Sequence, residues 1–214
     1  MINYKNNKGW IELICGPMFA GKTEELLRRI NRASYADLKI MIFKPSIDIR
    51  NHNVVKSRSS QQKDAIEIND PFEIYKHINQ QKNKPKIIAI DEVQFFDKSI
   101  VEIINTIANS GFIVIVSGLD LDFRGKPFHV TSKIASLSEY ITKLSAICTI
   151  CGEPGTITQR YIDGKPADTD APTILIGNTE SYTVRCREHH EIENKILNEE
   201  SKKFIKINKT IIYN

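Results

Sequence analysis

GPMFAGKT, at residues 16–23, determines the type of fold because it matches the phosphate-binding pattern G-x-x-x-x-G-K-[ST]. Gly16 and Gly21 permit backbone angles that turn consecutive N–H groups toward phosphate oxygens, and a helix beginning near Lys22 adds the positive end of its dipole. In such a loop Lys22 binds the β- and γ-phosphates, and the hydroxyl of Thr23 binds Mg²⁺. A glycine turn before a solvated lysine is the alternative, but it explains neither the strand before the motif nor the helix after it.

The segments around this loop alternate between strands and helices. Apolar runs predict strands at 10–15, 38–43, 86–91, 112–118 and 143–147, and helical spacing predicts helices from Thr23 and at 71–81 and 99–111. Uniformly hydrophobic strands that alternate with helices are typical of parallel sheets covered on both faces. The expected fold class is α/β, a P-loop (RecA-like) parallel sheet with helices on both faces, with a polar loop at about 46–64.

Two carboxylates follow the strand predicted at 86–91. The run KIIAID ends in Asp91-Glu92, and open parallel sheets bind their ligands at the carboxyl ends of their strands. Asp91 has the features of the Walker B acid that holds Mg²⁺, and Glu92 has those of a group that activates a nucleophile. This motif does not distinguish a water nucleophile, as in an ATPase, from a substrate hydroxyl, as in a small-molecule kinase.

Composition excludes disorder of the whole chain. The 214 residues are 41% hydrophobic and 26% charged, with a net charge of +4 that is spread along the sequence. The N-terminus does not resemble a signal peptide, and no apolar run reaches 18 residues. We therefore expect a soluble cytoplasmic protein that needs neither a membrane nor a nucleic acid as partner.

Three of the four cysteines occur in two short metal-binding patterns. Cys148-x2-Cys151 and Cys186-x2-His189 supply three thiolates and one imidazole, a complete tetrahedral shell for structural zinc. His190 is an alternative fourth ligand, and a redox CxxC or plain buried cysteines are rival interpretations that leave the second pattern unexplained. Cys15 is expected to be a small core residue.

A change in composition accompanies the first pattern. Turn-rich segments with many Gly and Pro residues begin there, which indicates a second, small module. The expected division is an ATP-binding domain at 1–147, a zinc-binding domain at 148–190, and a C-terminal helix and tail at 191–214.

Several stretches together resemble one enzyme family. GPMFAGKT, DEVQFF (91–96), FRGKPF (123–128), the two cysteine patterns and IGNTESY (176–182) occur in the order and spacing of the type II thymidine kinases, the zinc-containing cytosolic family. The resemblance covers about residues 9–190. It implies ATP-dependent phosphorylation of the 5′-hydroxyl of thymidine and deoxyuridine by a homotetramer that its end product, dTTP, inhibits.

The resemblance also assigns roles to individual residues. It makes Glu92 the general base and Thr23 and Asp91 the Mg²⁺ ligands. It implies that ATP and its phosphates are bound by Gly16, Pro17, Met18, Phe19, Ala20, Gly21, Lys22, Thr23, Arg58, Asp91 and Gln94. It implies that the nucleoside is bound by Met18, Phe95, Leu119, Phe123, Phe128, Thr158, Thr173, Ile174, Leu175, Ile176, Gly177 and Tyr182, with 173–177 as a lasso loop on the pyrimidine edge. In this picture the zinc-ribbon-like lasso domain covers the nucleoside.

Two other functions are compatible with parts of this pattern. A nucleic-acid-associated ATPase with a zinc ribbon would share the P-loop, the acidic strand end, the metal site and the basic pI near 8.8. Within the kinases, the alternative is an enzyme that acts on a different nucleoside base.

Overall fold

Six parallel strands form the central sheet in the computed structural model, which describes residues 8–48, 53–57, 61–173 and 182–192. In chain order the described strands are β1 (Trp10–Cys15), β2 (Ile40–Pro45), β3 (Val54–Lys56), β4 (Gln62–Asp64), β5 (Ile66–Ile68), β6 (Ile87–Ile90), β7 (Ile113–Gly118), β8 (Tyr140–Lys143), β9 (Ala146–Ile147), β10 (Pro154–Gly155), β11 (Ile157–Ile162), β12 (Lys165–Pro166) and β13 (Tyr182–Arg185). The sheet has the order β5-β2-β6-β7-β1-β8.

Helices cover both faces of this sheet. They are α1 (Lys22–Ser34), α2 (Glu73–Gln80), α3 (Ser99–Asn109) and α4 (His129–Leu137). Leu26, Leu27 and Ile30 of α1 belong to the apolar cluster on one face, and α2, α3 and α4 contribute to the cluster on the other. The predicted α/β class, with helices on both faces, is confirmed. Within the described residues, no helix combines the length and the apolar character needed to cross a membrane.

The strand order brings the predicted motifs to one edge of the sheet. β7 lies between β1 and β6, and all three strands are parallel, so their carboxyl ends lie side by side. The phosphate-binding loop follows β1, Asp91 follows β6, and Ser117 and Gly118 end β7. This edge therefore holds the candidate site.

A buried ion pair fixes α1 against the sheet. Glu12 of β1 is 1% exposed, and its carboxylate accepts hydrogen bonds from Arg29 Nη1 at 2.7 Å and from Trp10 Nε1 at 2.9 Å. Arg29 Nη2 also donates to the hydroxyl of Thr142 in β8 at 2.8 Å. The contacts join two strands to the helix that begins at Lys22, and so fix the direction of its N-terminus.

The structure corrects two predicted elements. The fifth predicted strand, at 143–147, is wrong in position: β8 ends at Lys143, and Ala146–Ile147 instead pairs antiparallel with Pro154–Gly155. The predicted loop at 46–64 contains an antiparallel hairpin, β3 with β4, whose Val55 is buried in the α1 face of the core. Helix α4 and the edge strands β5 and β8 were not predicted.

The second module consists of small antiparallel sheets. β9 pairs with β10, and β11 pairs with both β12 and β13. Four consecutive residues of β11, from Ile157 to Arg160, are buried, although three of them are polar. These polar side chains therefore require partners inside the structure.

Candidate active site and metal centre

The loop at 16–21 takes backbone angles that few residues tolerate. Gly16 has φ 144° and Gly21 has φ 80°, and a Cβ on Gly16 would lie 2.4 Å from the carbonyl oxygen of Leu144. Phe19, which is not a glycine, has φ 65°. Strained angles of this kind are concentrated at functional sites. Pro17, Met18 and Ala20 complete the loop.

Lys22 and Thr23 begin α1 and connect the loop to the neighbouring strands. Lys22 is 9% exposed, and its Nζ donates to the carbonyl of Pro17 at 2.7 Å. The hydroxyl of Thr23 donates to Asp91 Oδ2 at 3.2 Å. The structure thus brings together the lysine, the hydroxyl and the acid that the sequence singled out separately.

Asp91 is buried and surrounded by hydrogen-bond donors. Its carboxylate accepts hydrogen bonds from the Ser117 hydroxyl and from the backbone N–H of Glu92, the latter at 3.0 Å. Burial, together with the negative charge of Glu92, raises the pKa of the Asp91 carboxyl to about 6. A carboxylate in this environment gains stability when a cation binds beside it. Ser117 was not predicted as a site residue, because its only sequence signal is its place at the end of an apolar strand.

Glu92 lies at the start of a 3-10 helix, Val93–Phe95, with φ 51°. Its Oε2 accepts a hydrogen bond from Gln94 Nε2 at 2.6 Å, and Gln94 Oε1 accepts one from the backbone N–H of Leu119 at 2.9 Å. The predicted base is therefore oriented through Gln94 by the segment that follows β7. Gln94, predicted as a phosphate-binding residue, lies between Glu92 and Leu119.

Two cavities adjoin these residues. One, of about 180 Å³, is bordered by the phosphate-binding loop and by the hairpin residues Lys56 and Ser57. Its volume is below the range of about 300–1,000 Å³ usual for whole ligands, so it suits the phosphate part of a nucleotide. The other, of about 560 Å³, is open and is lined by Gln94 and Phe128 among others. Lys56 and Ser57 were not predicted as site residues.

The second module contacts the phosphate-binding loop directly. The backbone N–H of Met18 donates to the Thr158 hydroxyl of β11 at 3.1 Å. Phe123 is 5% exposed, while Phe95, Leu119 and Tyr182 are half-buried. Burial raises the pKa of Tyr182.

Several predicted site residues are the last of a described range or lie outside the described residues. Thr173 is exposed, and its hydroxyl accepts a hydrogen bond from Arg124. Outside the described residues lie Arg58, Ile174, Leu175, Ile176 and Gly177.

Cys148, Cys151, Cys186 and His189 form one cluster, with their ligand atoms all within 4.8 Å of one another. Cys151 Sγ lies 3.8 Å from Cys186 Sγ, and His189 Nδ1 lies 3.2 and 3.9 Å from the sulfurs of Cys186 and Cys148. In a tetrahedral zinc site with bonds of about 2.0–2.3 Å, the ligand atoms are about 3.5–3.8 Å apart. The cluster can therefore hold a metal ion, and its three sulfur atoms and one imidazole nitrogen are consistent with zinc.

The neighbouring histidine has a different contact. His190 Nε2 donates to the carbonyl of Phe123 at 2.7 Å, so His189 rather than His190 completes the cluster. Cys15 is buried at the end of β1 and belongs to the core on the α3 side of the sheet, as expected.

Comparisons with known proteins agree with this geometry. The family model described as thymidine kinase matches residues 9–190. The thymidine kinase of Mycoplasmoides gallisepticum is 50% identical over 197 residues, which cover 92% of this chain and 87% of that protein. The thymidine kinase of Ureaplasma parvum serovar 3 is 47% identical, over 92% of this chain and 90% of that protein. The thymidine kinase of Ureaplasma urealyticum serovar 10 is also 47% identical, over 95% of this chain and 92% of that protein. The chain belongs to the thymidine kinase family.

Proposed function

We propose that this chain transfers the γ-phosphoryl group of ATP to the 5′-hydroxyl of thymidine and deoxyuridine, a reaction of nucleotide salvage for DNA synthesis. The observation that carries the proposal is the adjacent pair at the end of β6. Asp91 contacts Thr23 of the phosphate-binding loop, whereas Glu92 is connected through Gln94 to the segment at Leu119. Two neighbouring carboxylates thus join the predicted ATP site to the predicted nucleoside site.

Proton transfer is the role of Glu92. Its carboxylate accepts the proton of the 5′-hydroxyl as that oxygen attacks the γ-phosphorus, the bond to the β-phosphate oxygen breaks, and ADP leaves. The hydrogen bond from Gln94 fixes the direction of the carboxylate. Lys22 and the N–H groups of the loop stabilise the charge of the transferring phosphoryl group.

Thr23 and Asp91 would hold Mg²⁺, because a hydroxyl and a carboxylate are hard oxygen ligands and they already lie in contact. When bound, Mg²⁺ would neutralise charge on the phosphate oxygens of ATP. Arg58 is proposed as a further phosphate-binding residue.

Recognition of the base is assigned to apolar walls and to backbone groups. The walls are Met18, Phe95, Leu119, Phe123, Phe128 and Tyr182, with Thr158 beside them. The backbone of Thr173, Ile174, Leu175, Ile176 and Gly177 would pair with the pyrimidine edge. A base with the wrong donors would leave buried polar groups unpaired, at a cost of about 1–3 kcal/mol each. Deoxyuridine presents the same hydrogen-bonding edge as thymidine and lacks only one methyl group, so it leaves no polar group unpaired and is expected to be accepted with weaker binding.

The metal cluster is proposed to bind structural zinc and to hold the lasso over the nucleoside. Its four ligands leave no position for substrate. The proposed division is 1–147 for ATP binding, 148–190 for the zinc-binding lasso domain, and 191–214 for the C-terminal part, with Ala146–Ile147 paired to a strand of the second module. The family resemblance also supports a cytoplasmic homotetramer inhibited by dTTP.

Product analysis tests the proposed function. Purified protein is incubated with Mg²⁺–ATP and each of thymidine, deoxyuridine, deoxycytidine and deoxyadenosine, and the 5′-monophosphates are separated by chromatography. We expect product from the first two nucleosides. ATP hydrolysis that DNA stimulates, without nucleoside phosphorylation, would instead identify a nucleic-acid-associated ATPase, and product from another nucleoside alone would identify a different base specificity.

Replacing Gly118 by Ala tests the link between Glu92 and the nucleoside site. A Cβ at this position would lie 2.7 Å from Gln94 Oε1 and 2.8 Å from Val93 Cγ1, so Gln94 would have to move. We expect kcat to fall about tenfold, because the orientation of Glu92 is lost, and stability to fall by about 1–3 kcal/mol from overpacking.

The matched control is Gly164→Ala. Gly164 has φ 75° in the turn between β11 and β12, and a Cβ there would meet nothing within 4 Å. This variant is expected to lose stability through backbone strain while kcat stays within twofold of the wild-type value. Equal kcat values for the two variants would refute the role given to Gln94.

A further inference from the structure

Arg160 is a cation enclosed in the second module. It lies in β11, is 1% exposed, and is the largest of the fully buried side chains in the described part of the chain. A buried charge is costly unless it is paired and hydrogen-bonded. The contacts of its guanidinium group therefore indicate what the residue is used for.

Within the described part of the chain, those contacts do not include a carboxylate. Arg160 Nη1 donates to the carbonyl of Pro172 at 2.6 Å, and the guanidinium carbon lies 5.2 Å from the centroid of the Phe123 ring. Among the described residues Arg160 forms no ion pair, and its Nε has no hydrogen-bond partner. The side chain connects an aromatic ring of the β7–α4 segment to the backbone just before Thr173.

A second arginine makes the same connection from the other segment. The Arg124 guanidinium carbon lies 5.0 Å from the Phe123 centroid, and its side chain donates to the Thr173 hydroxyl and, at 3.3 Å, to the Thr169 carbonyl. Arg124 is also paired with a carboxylate, that of Asp122, at 2.7 Å. Two guanidinium groups thus join Phe123 to residues 169–173.

The Arg160 side chain lies on the same face of β11 as a residue that contacts the phosphate-binding loop. Residues two apart on a strand point to the same face, so Arg160 shares a face of β11 with Thr158. Thr158 accepts the hydrogen bond from the backbone of Met18. Phe123 has a further contact with the second module, besides those of its ring with the two guanidinium groups, because its carbonyl accepts a hydrogen bond from His190.

We propose that Arg160 is a positioning residue for the nucleoside, which holds Phe123 and the backbone at Pro172 in fixed relation to Thr158 and the phosphate-binding loop. This inference rests on the proposed function, since it assigns these groups to the nucleoside site. A planar guanidinium group can lie over a ring and donate hydrogen bonds at the same time, which an ammonium group cannot do in the same geometry. Arg160 therefore acts on nucleoside binding rather than on ATP binding or on the chemical step.

The test compares Arg160→Met and Arg160→Lys with Arg185→Met. Arg185 is a matched control: it is 8% exposed in the adjacent strand β13, and it contacts Tyr161, with Nη2 2.7 Å from the hydroxyl and the guanidinium carbon 6.0 Å from the ring centroid. Steady-state kinetics with thymidine and with ATP are measured for each variant. Zinc content, thermal unfolding and equilibrium binding of radiolabelled thymidine are measured on the same samples.

For Arg160→Met we expect KM and Kd for thymidine to rise at least tenfold, with KM for ATP changed less than twofold and zinc retained. Arg160→Lys, which keeps the charge and is the variant more certain to fold, should raise KM for thymidine at least threefold. Arg185→Met should unfold at a lower temperature and keep its KM for thymidine.

The outcomes separate this inference from the proposed function. A wild-type protein that forms no thymidine 5′-monophosphate contradicts the proposed function itself. An active wild type, with Arg160 variants whose thymidine KM equals that of Arg185→Met, overturns the inference alone, and so does a parallel rise in the KM values for thymidine and ATP.

Discussion

Glu92→Gln is expected to lower kcat for thymidine phosphorylation by about a hundredfold or more, the range usual for loss of a general base. Glutamine has nearly the same shape as glutamate, and its side-chain oxygen can still accept the hydrogen bond from Gln94. The amide cannot take up the proton of the 5′-hydroxyl, so the chemical step is lost while the geometry is preserved. Single-turnover rates and ATP binding, measured separately, locate the effect.

The matched control for this substitution is Glu102→Gln. Glu102 is an exposed residue in the first turn of α3 and lies outside the site. We expect its kcat to stay within twofold of the wild-type value, and both variants to bind ATP with wild-type affinity. A Glu92→Gln enzyme that retains more than a tenth of the wild-type turnover would remove Glu92 from the role of base.

The left-handed backbone conformation of Glu92 also fixes the direction of its side chain. A non-glycine residue with φ 51° is held there by its surroundings, here by the buried Asp91 on one side and the 3-10 helix on the other. Side-chain direction at this position is thus fixed by the backbone as well as by Gln94. Glu92→Asp keeps the carboxylate but shortens its reach, so we expect its kcat to fall as well, although less than for the glutamine variant.

The parts of the site that lie close together in sequence could be predicted. The phosphate-binding loop and the Asp91–Glu92 pair each follow an apolar strand directly, and a parallel sheet brings the ends of its strands to one edge. The cysteine patterns likewise bring their ligands together in pairs. In each case a short-range pattern carries the information, which is why the edge of the sheet where the site lies could be predicted.

For the elements that were mispredicted, the local sequence pattern does not distinguish the observed structure from the predicted one. The apolar residue Ile147 led to the prediction that 143–147 is a strand of the main sheet. Ile147 is in fact 64% exposed and lies in the small module. The true edge strand contains Tyr140 and Ile141, which are 47% and 51% exposed, so it lacks the uniformly buried apolar side chains of the inner strands. At 46–64 the polar composition hid a hairpin whose single buried valine, Val55, packs against the α1 face of the core.

Contacts between distant segments could not be predicted from spacing at all. Thr158 and Met18 are separated by 140 positions, and Ser117 and Asp91 by 26, yet each pair is hydrogen-bonded. These contacts depend on strand order and on how the second module lies against the loop. Gln94 is a further case, since only the fold shows its contact with Leu119.

Cys148→Ala is expected to abolish stoichiometric zinc and to remove most of the thymidine kinase activity. Three remaining ligands form an incomplete shell, and apparent zinc affinities in small modules contribute about 10–16 kcal/mol to folding, so the module loses its main source of stability. The larger sheet has its own core on both faces and should stay folded. Metal analysis, far-UV circular dichroism and KM for thymidine together distinguish loss of the module from loss of the whole fold.

Backbone hydrogen bonds to the Cys148 sulfur make its substitution more damaging to zinc binding than the substitution of a cysteine without such hydrogen bonds. Burial raises the pKa of its thiol, but hydrogen bonds from the backbone N–H groups of Cys151, Cys186 and Ile150 bring that pKa down to about 6. The N–H groups therefore favour the thiolate that zinc requires. They come from both cysteine patterns, so removal of the sulfur takes away an acceptor they share as well as a ligand.

Cys15→Ala is the control that separates metal binding from the loss of a buried cysteine. Cys15 packs in the core at the end of β1, and burial raises the pKa of its thiol, so it is held as a neutral apolar group. Its substitution should cost some stability and leave one zinc per chain. Full zinc content in Cys148→Ala, or equal zinc loss in both variants, would show that the cluster is not the metal site. Zinc loss in Cys148→Ala with unchanged KM for thymidine would keep the metal site but contradict its role in holding the lasso over the nucleoside.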